Sequence, residues 1–495
     1  MLFNSLEYLA FLTPLFLCCW FLFHRNNKLQ NIFLLISNYV FYGWWDWRFL
    51  FLLFFISTFN YYFGLKLGNL GRESFRTRKS ILFISISINL ILLGFFKYFN
   101  FFVESAVNLI GLFGIKTDTY TLNIILPIGI SFYTFQAMSY LFDIYADKIK
   151  PTDDIVSFFS YLSFFPLILA GPIERAGNLL AQFTKRREFD YSMASDGLRQ
   201  ILFGLFKKVV IADNCAMLVN SIFKEYDTLP STVLIMGAIY FAFQIYGDFS
   251  GYSDIAIGSA KLLGFQLTTN FRTPYFSRNI VEFWKRWHIS LSTWFRDYLF
   301  LPIAYSLTRR LPKKYYLGIK NDKIVNILAT IITFLVCGLW HGPNWTYVVW
   351  GGLIGIYFIP LIILGSKKRI TPEAAMGKTF PTIREVLQIL TTFIFICITW
   401  IFFRAEHLGQ AALYLVRIFT NDFLPNGYSI FFPKYLLILL AVFLLSEWLL
   451  FRHDDYLERF RNYPPLVRRL LYIILLGVIF LFIQNESTSF IYFQF

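Results

Sequence analysis

Long apolar runs, separated by short polar or basic stretches, organise this chain. They lie near 3–23, 29–44, 49–66, 80–99, 120–146, 197–221, 231–248, 324–341, 345–365, 386–404, 434–451 and 467–484. A bilayer core about 30 Å thick needs about 20 mostly apolar residues per helix, so each run predicts a membrane span. Two shorter runs, near 155–171 and 289–306, are interrupted by Pro166, Pro172 and Pro302. They predict re-entrant or interfacial pieces, because irregular backbone at membrane depth is tolerated only inside protein or beside water. The first run has no basic region before it and no small-residue cleavage site after it, and reads as a retained span. The runs are unbroken rather than alternating, which excludes a membrane β-barrel. The pattern therefore predicts an all-α polytopic membrane protein with about 11–12 transmembrane helices.

Composition sharpens this. The chain has 495 residues, 57% hydrophobic and only 15% charged. Soluble domains are nearer about 25% charged, and 61 Phe would leave a soluble protein with large exposed apolar patches. Disorder is excluded by the same hydrophobicity. The net charge of +15 first suggests cytoplasmic loops. Eight segments (24–28, 66–79, 148–150, 175–208, 261–286, 309–323, 367–369 and 452–469) hold 35 of the 45 Lys and Arg. All eight can be cytoplasmic at once if residue 1 starts outside and the two broken runs return to the side they left. The C-terminus is then outside. No repeat, low-complexity tract or linker divides the chain, so one membrane domain over residues 1–495 is the economical expectation, with its core motif region about 120–360. The five cysteines lie in or beside apolar runs without CxxC spacing, which points to neither a disulfide framework nor a zinc site.

Five histidines occur. His24 and His453 sit in basic loops, and His407 follows a span; all three read as solvated or interfacial. His341 and His288 differ, since an ionisable residue at membrane depth is a functional candidate by default. His341 ends a span in CGLWHGPNW, where Gly338, Gly342 and Pro343 break the helix and open backbone to a substrate. Its imidazole is either a general base, neutral in an apolar setting, or a hydrogen-bonding partner of a neighbouring helix. His288 sits in NIVEFWKRWHISLSTWFRDYLFLPI. On a helix Trp284 and His288 would share a face, as would Glu282 and Arg286. Arg278, Lys285, Arg286 and Arg296 crowd this stretch, which is either an amphipathic helix on anionic lipid or a cytoplasm-facing lip for an anionic cofactor. Upstream, Asp248 and Asp254 flank Gly251. They either cap a broken helix or form the polar wall of a buried channel; no histidine stands at ligand spacing, so a metal is not expected. There is no P-loop and no GxSxG elbow. Nor is there an Arg-rich voltage-sensor helix or a pair of repeats with matching broken helices.

The segments SFYTFQAMSYLFDIY (131–145), YLSFFPLILAGPIERA (161–176), FQIYGDFSGYSDIAIGSAKLLGF (243–265), FWKRWHISLSTWFRDYLFLPI (283–303), GLWHGPNWTYVVWG (338–351) and FIYFQF (490–495) resemble the membrane-bound O-acyltransferase family, in its bacterial alginate O-acetyltransferase-like branch. They run in the family's order from end to end. Two departures are visible. Gly247 stands where an aromatic residue is expected, and LPIAYSLTRRLPKKYY replaces a glycine-rich stretch. The resemblance implies a helical bundle around a central tunnel and acyl transfer from a thioester to a hydroxyl. The implied donor is acetyl-CoA, and the implied acceptor is an extracytoplasmic polysaccharide, reached through a separate SGNH-type acetyltransferase partner. It implies that His341 is catalytic and that His288 is catalytic or site-lining, donating to the oxyanion or orienting the donor. Arg272, Lys285, Arg286 and Trp284 are expected at the donor, with Asp248, Asp254, Trp340 and Asn344 lining the site. Two rivals stay open: D-alanyl transfer from a carrier protein to teichoic acid, and a lipid or polysaccharide transporter.

Overall fold

The computed structural model describes residues 1–115, 121–169, 171–316, 318–365, 380–423, 429–450, 463–483 and 490. The basic stretch 367–369, most of 452–469, His453 and the closing residues 491–495 lie outside them. Nearly all regular structure is helical; a two-residue hairpin, Tyr315–Tyr316 against Ile319–Lys320, is the exception among the described residues. Seven helices there are long and apolar enough to cross a membrane: 49–68, 72–111, 231–262, 321–341, 345–364, 383–404 and 465–482. Other expected spans are shorter helices, such as Asn27–Gly43 and Lys434–Leu450. The run at 120–146 is helical only over Ile130–Tyr145, because Pro127 and Gly129, at a left-handed φ of 73°, start that helix late.

The chain forms two compact units. Unit 1 comprises residues 1–201 and 253–268. Its centre is the helix Ile130–Tyr145, buried along almost its whole length. Gly64 of the helix Phe49–Gly68 lets the ring of Tyr140 lie against it; a Cβ there would overlap the ring. Polar side chains inside this unit are used to tie elements together. Asn60 and Asn89 exchange amide hydrogen bonds between neighbouring helices. Glu174, buried, accepts from the backbone N–H of Thr268 and from Asn178; burial raises its pKa. Trp20 donates to the Leu262 carbonyl at 2.8 Å.

Unit 2 comprises residues 202–252 and 269–495. The long helix Ser231–Leu262 thus gives its first part to unit 2 and its last ten residues to unit 1. Within unit 2, α1 (Asn321–His341) and α2 (Trp345–Leu364) form an antiparallel hairpin. Its helices approach at glycine. A Cβ on Gly338 would collide with the Tyr347 carbonyl, and one on Gly351 with the Phe334 carbonyl. Dispersion contacts between close-packed backbones are a main source of helix association in lipid. α3 (Ile383–Arg404) packs on α2. The predicted run 197–221 carries a π-helical turn at Phe206–Ala212. That turn meets the helix Ser231–Leu262 at Gly247 and Gly251, where a Cβ would stand 2.9 Å from the Lys207 carbonyl and 2.7 Å from the Gly204 carbonyl. The glycine at 247, a departure from the expected aromatic, is therefore where two backbones meet.

Candidate active site

His341 is the last residue of α1 and is 4% exposed. The chain turns at Gly342, where a Cβ would strike the Tyr347 ring. Around the imidazole, the rings of Trp350 and Phe403 stand edge-on at 5.0 and 5.2 Å, and that of Trp340 at 4.9 Å. Trp350 in turn stacks on Trp400 of α3 at 5.8 Å. The helix break seen in the motif thus places the imidazole at a helix end, inside an aromatic wall built by α1, α2 and α3.

His288 is held differently. The continuous helix expected through Trp284 and His288 is not formed. A short helix, Ile280–Trp284, ends there, and another, Ile289–Phe295, begins after His288. His288 itself is left-handed, at φ 42° and ψ 57°, a conformation that costs a non-glycine residue on the order of 1–3 kcal/mol and persists only when its surroundings enforce it. They do: the backbone N–H of Ile289 donates to the Asn270 carbonyl at 2.9 Å, and that of Arg272 to the Arg286 carbonyl at 2.9 Å. Asn270 Oδ1 then collects three contacts, with His288 Nδ1 at 3.1 Å, Ser290 Oγ at 2.9 Å and Ser290 N at 3.3 Å. His288 is fully buried. Phe249 stands edge-on to it at 4.6 Å and Phe271 stacks at 6.3 Å. With no exposure to solvent and aromatic rings around it, the site disfavours a charged imidazolium and holds the ring neutral. Its Nε2 is buried with no hydrogen-bond partner among the described residues.

Trp340 links the two histidines: next to His341 in the chain, its ring is 6.2 Å from that of His288. Trp284 touches Trp350 at 6.0 Å, and Trp287 touches Trp400 at 5.1 Å. The i,i+4 pair Glu282–Arg286 is present, at 2.7 Å, but it turns Arg286 inward and buries it. Of the basic residues expected at the donor, Lys285 and Arg272 are exposed. Arg278 spans Glu282 and Glu385. Asn344 caps α2 by accepting from Thr346 N and donates to the Glu406 carbonyl.

Asp248 directly precedes Phe249, whose ring meets His288. It is buried against Lys208 Nζ at 2.7 Å, and the same ammonium meets Asp213 at 2.8 Å. Nearby, Tyr246 donates to Glu447, which also faces Lys207 at 3.5 Å. Asp254 belongs to unit 1, where it accepts from Gln200 at 3.0 Å. Phe490, the described residue of the closing motif, is buried on Tyr252 at 4.3 Å. Asn270, Trp350 as a ring against His341, Trp400 and the Lys208 cluster were not expected from sequence. No spacing rule joins Asn270 to a histidine 18 residues later. Among the described residues, no group of three or more His, Cys, Asp or Glu could hold a metal.

The family model described as MBOAT, membrane-bound O-acyltransferase, matches residues 44–403. The chain belongs to the membrane-bound O-acyltransferase family. It is 36% identical over 412 residues to the probable alginate O-acetylase AlgI of Pseudomonas aeruginosa, covering 83% of this chain and 73% of that protein. It is 34% identical over 440 residues to a peptidoglycan O-acetyltransferase of Helicobacter pylori, covering 83% and 78%. A teichoic acid D-alanyltransferase of Bacillus subtilis matches at 30% over 233 residues, 46% of this chain and 57% of that protein. The MBOAT chain is thus an O-acyltransferase and a multi-pass protein of the bacterial inner membrane, and the aromatic cluster around His288 and His341 lies within the matched region.

Proposed function

We propose that the protein O-acetylates an extracytoplasmic polysaccharide, taking the acetyl group from acetyl-CoA at the cytoplasmic face. The observation that carries the reading is the pair of buried imidazoles, His288 and His341, joined through Trp340 in one aromatic pocket of an O-acyltransferase. His341 takes the proton of an incoming hydroxyl as its oxygen attacks the thioester carbonyl. The carbonyl carbon–sulfur bond then breaks, and the proton ends on the departing thiol. A positioned base of this kind contributes about 10²–10⁴-fold. His288 completes the pocket on the other side of Trp340. Exposed Lys285 and Arg272 attract the CoA phosphates. The match to O-acetyltransferases across 83% of the chain, against 46% for the D-alanyltransferase, supports acetyl over D-alanyl transfer. We take the two units as parts of one membrane domain, since the family match crosses both. The hydroxyl that first accepts the acetyl group is on the polysaccharide or on an SGNH-type partner that completes delivery.

The test is acyl transfer in membranes given labelled acetyl-CoA. Wild type labels a polysaccharide or protein fraction, and His341→Ala, accumulating to the same level, does not. Full labelling in that variant removes His341 as base. Labelling from a D-alanyl carrier instead of acetyl-CoA replaces the donor.

A further inference from the structure

We infer that Asn270 is a positioning residue: it fixes His288 as the Nδ1–H tautomer, so that the imidazole offers its Nε2 lone pair, as a hydrogen-bond acceptor, to an O–H or N–H of the bound substrate. The inference rests on the proposed acyl transfer only for its use; the tautomer stands on hydrogen-bond chemistry. A neutral imidazole has one N–H and one lone pair, and what the first nitrogen bonds decides what the second can do. The amide of Asn270 is oriented without ambiguity. Its inward atom lies 3.3 Å from the backbone nitrogen of Ser290, which can only donate, so that atom is the carbonyl oxygen. The Ser290 hydroxyl adds a second donor at 2.9 Å. An oxygen already accepting twice can meet His288 Nδ1, at 3.1 Å, only if that nitrogen carries the proton. Nε2 is then bare.

Two further observations point to a ligand. His288 Nε2 and Asn270 Nδ2 are both buried without a hydrogen-bond partner among the described residues. Both side chains are essentially sealed from solvent, at 0% and 1% exposure. An unsatisfied buried acceptor and donor on two hydrogen-bonded side chains is costly in a finished core. It is the complement of a ligand that carries both kinds of group. The acceptor of acyl transfer does so: its hydroxyl can donate to one group and accept from the other. The strained left-handed backbone at His288 fits this reading, because it aims the ring from a turn that two backbone hydrogen bonds hold in place. In this tautomer Nε2 donates nothing, so the oxyanion must be met by another group.

The experiment is magic-angle-spinning NMR of full-length protein carrying ¹⁵N-histidine, in lipid bilayers. The His288 signals are identified by their loss in His288→Gln. The expected wild-type spectrum shows Nδ1 protonated and Nε2 bare. In Asn270→Leu, which removes the acceptor at similar size, the Nε2–H form should become the major one. kcat should then fall by about 10²-fold, the scale of one misplaced proton-handling group, with KM for acetyl-CoA near the wild-type value. A wild-type spectrum showing Nε2–H overturns the inference, as does an Asn270→Leu protein with unchanged tautomer or unchanged kcat. If Asn270→Leu does not fold, the wild-type spectrum alone still decides the tautomer. If the tautomer is as inferred but wild-type membranes transfer nothing from acetyl-CoA, the positioning stands and the proposed donor falls.

Discussion

Two buried polar regions of unit 2 use similar residue types to opposite ends. Around Lys208, a single ammonium is wedged between Asp213 and Asp248, with Tyr252 beneath it at 5.6 Å. Each charge faces an opposite one, and the set ties the π-helical turn to the long helix it crosses. Around His288, three donors converge on one amide oxygen, while an imidazole nitrogen faces no partner among the described residues. The first region is closed by its ion pairs. The second keeps a buried imidazole nitrogen and an amide nitrogen without a hydrogen-bond partner among the described residues. Burial is nearly the same in both, so depth alone does not distinguish them; the first balances charge against charge, and the second gathers neutral groups on one amide oxygen.

This contrast predicts that substitutions split by readout. The largest effect falls on the histidine pocket. His341→Ala should lower acyl transfer by about 10²–10⁴-fold while the protein accumulates in membranes as wild type does. A thermal midpoint that collapses along with activity would move His341 to the architectural side. The mirror case is Lys208→Met. It strands two carboxylates that the ammonium neutralised, and breaking a buried pair in this way costs about 3–5 kcal/mol. The expected result is loss of folded protein in detergent. A Lys208→Met protein that is stable but inactive would transfer Lys208 to the chemistry.

Much of the scaffold was legible beforehand, because a membrane span is a local, one-dimensional signal. The runs at 324–341, 386–404 and 467–484 became helices at Asn321–His341, Ile383–Arg404 and Pro465–Phe482. Hydropathy failed where apolar residues do not form a helix from the start, as before Ile130. The two motif histidines stood out in the sequence, but their surroundings did not. Nothing between Trp284 and His288 forbids a helix, so the broken turn had no local sign. It is imposed by Asn270, 18 residues away. Asp248 read equally as a helix cap or a channel wall, because its partner Lys208 lies 40 residues upstream. Arg286 read as part of a basic lip, yet its ion pair with Glu282 draws it inside. Contacts of this range are fixed by packing, which a linear reading does not contain.

A middle effect tests whether the scaffold is as tightly specified as the pocket it carries. At Gly351 an added side chain meets backbone on α1, which cannot step aside, so Gly351→Val should destabilise by about 1–3 kcal/mol, the usual cost of overpacking. Its neighbour Gly352 faces the methyl end of Leu335 at 3.4 Å. Gly352→Ala should leave the thermal midpoint near wild type. Equal losses at both positions would mean that the hairpin is held by glycine's helix behaviour, not by close backbone approach.

The smallest effect belongs to the exposed cations. Lys285 stands one residue from buried Arg286 but is exposed. On the proposed reading it helps capture an anionic donor by long-range attraction, which at physiological salt fades over about 8 Å. Lys285→Gln should therefore raise KM for acetyl-CoA a few-fold at low salt, leave kcat alone, and become indistinguishable from wild type as salt rises. A kcat change that salt does not erase would show that Lys285 touches the donor at a fixed place. The boundary between a bonded site and a steering surface would then run through residue 285, not inside it.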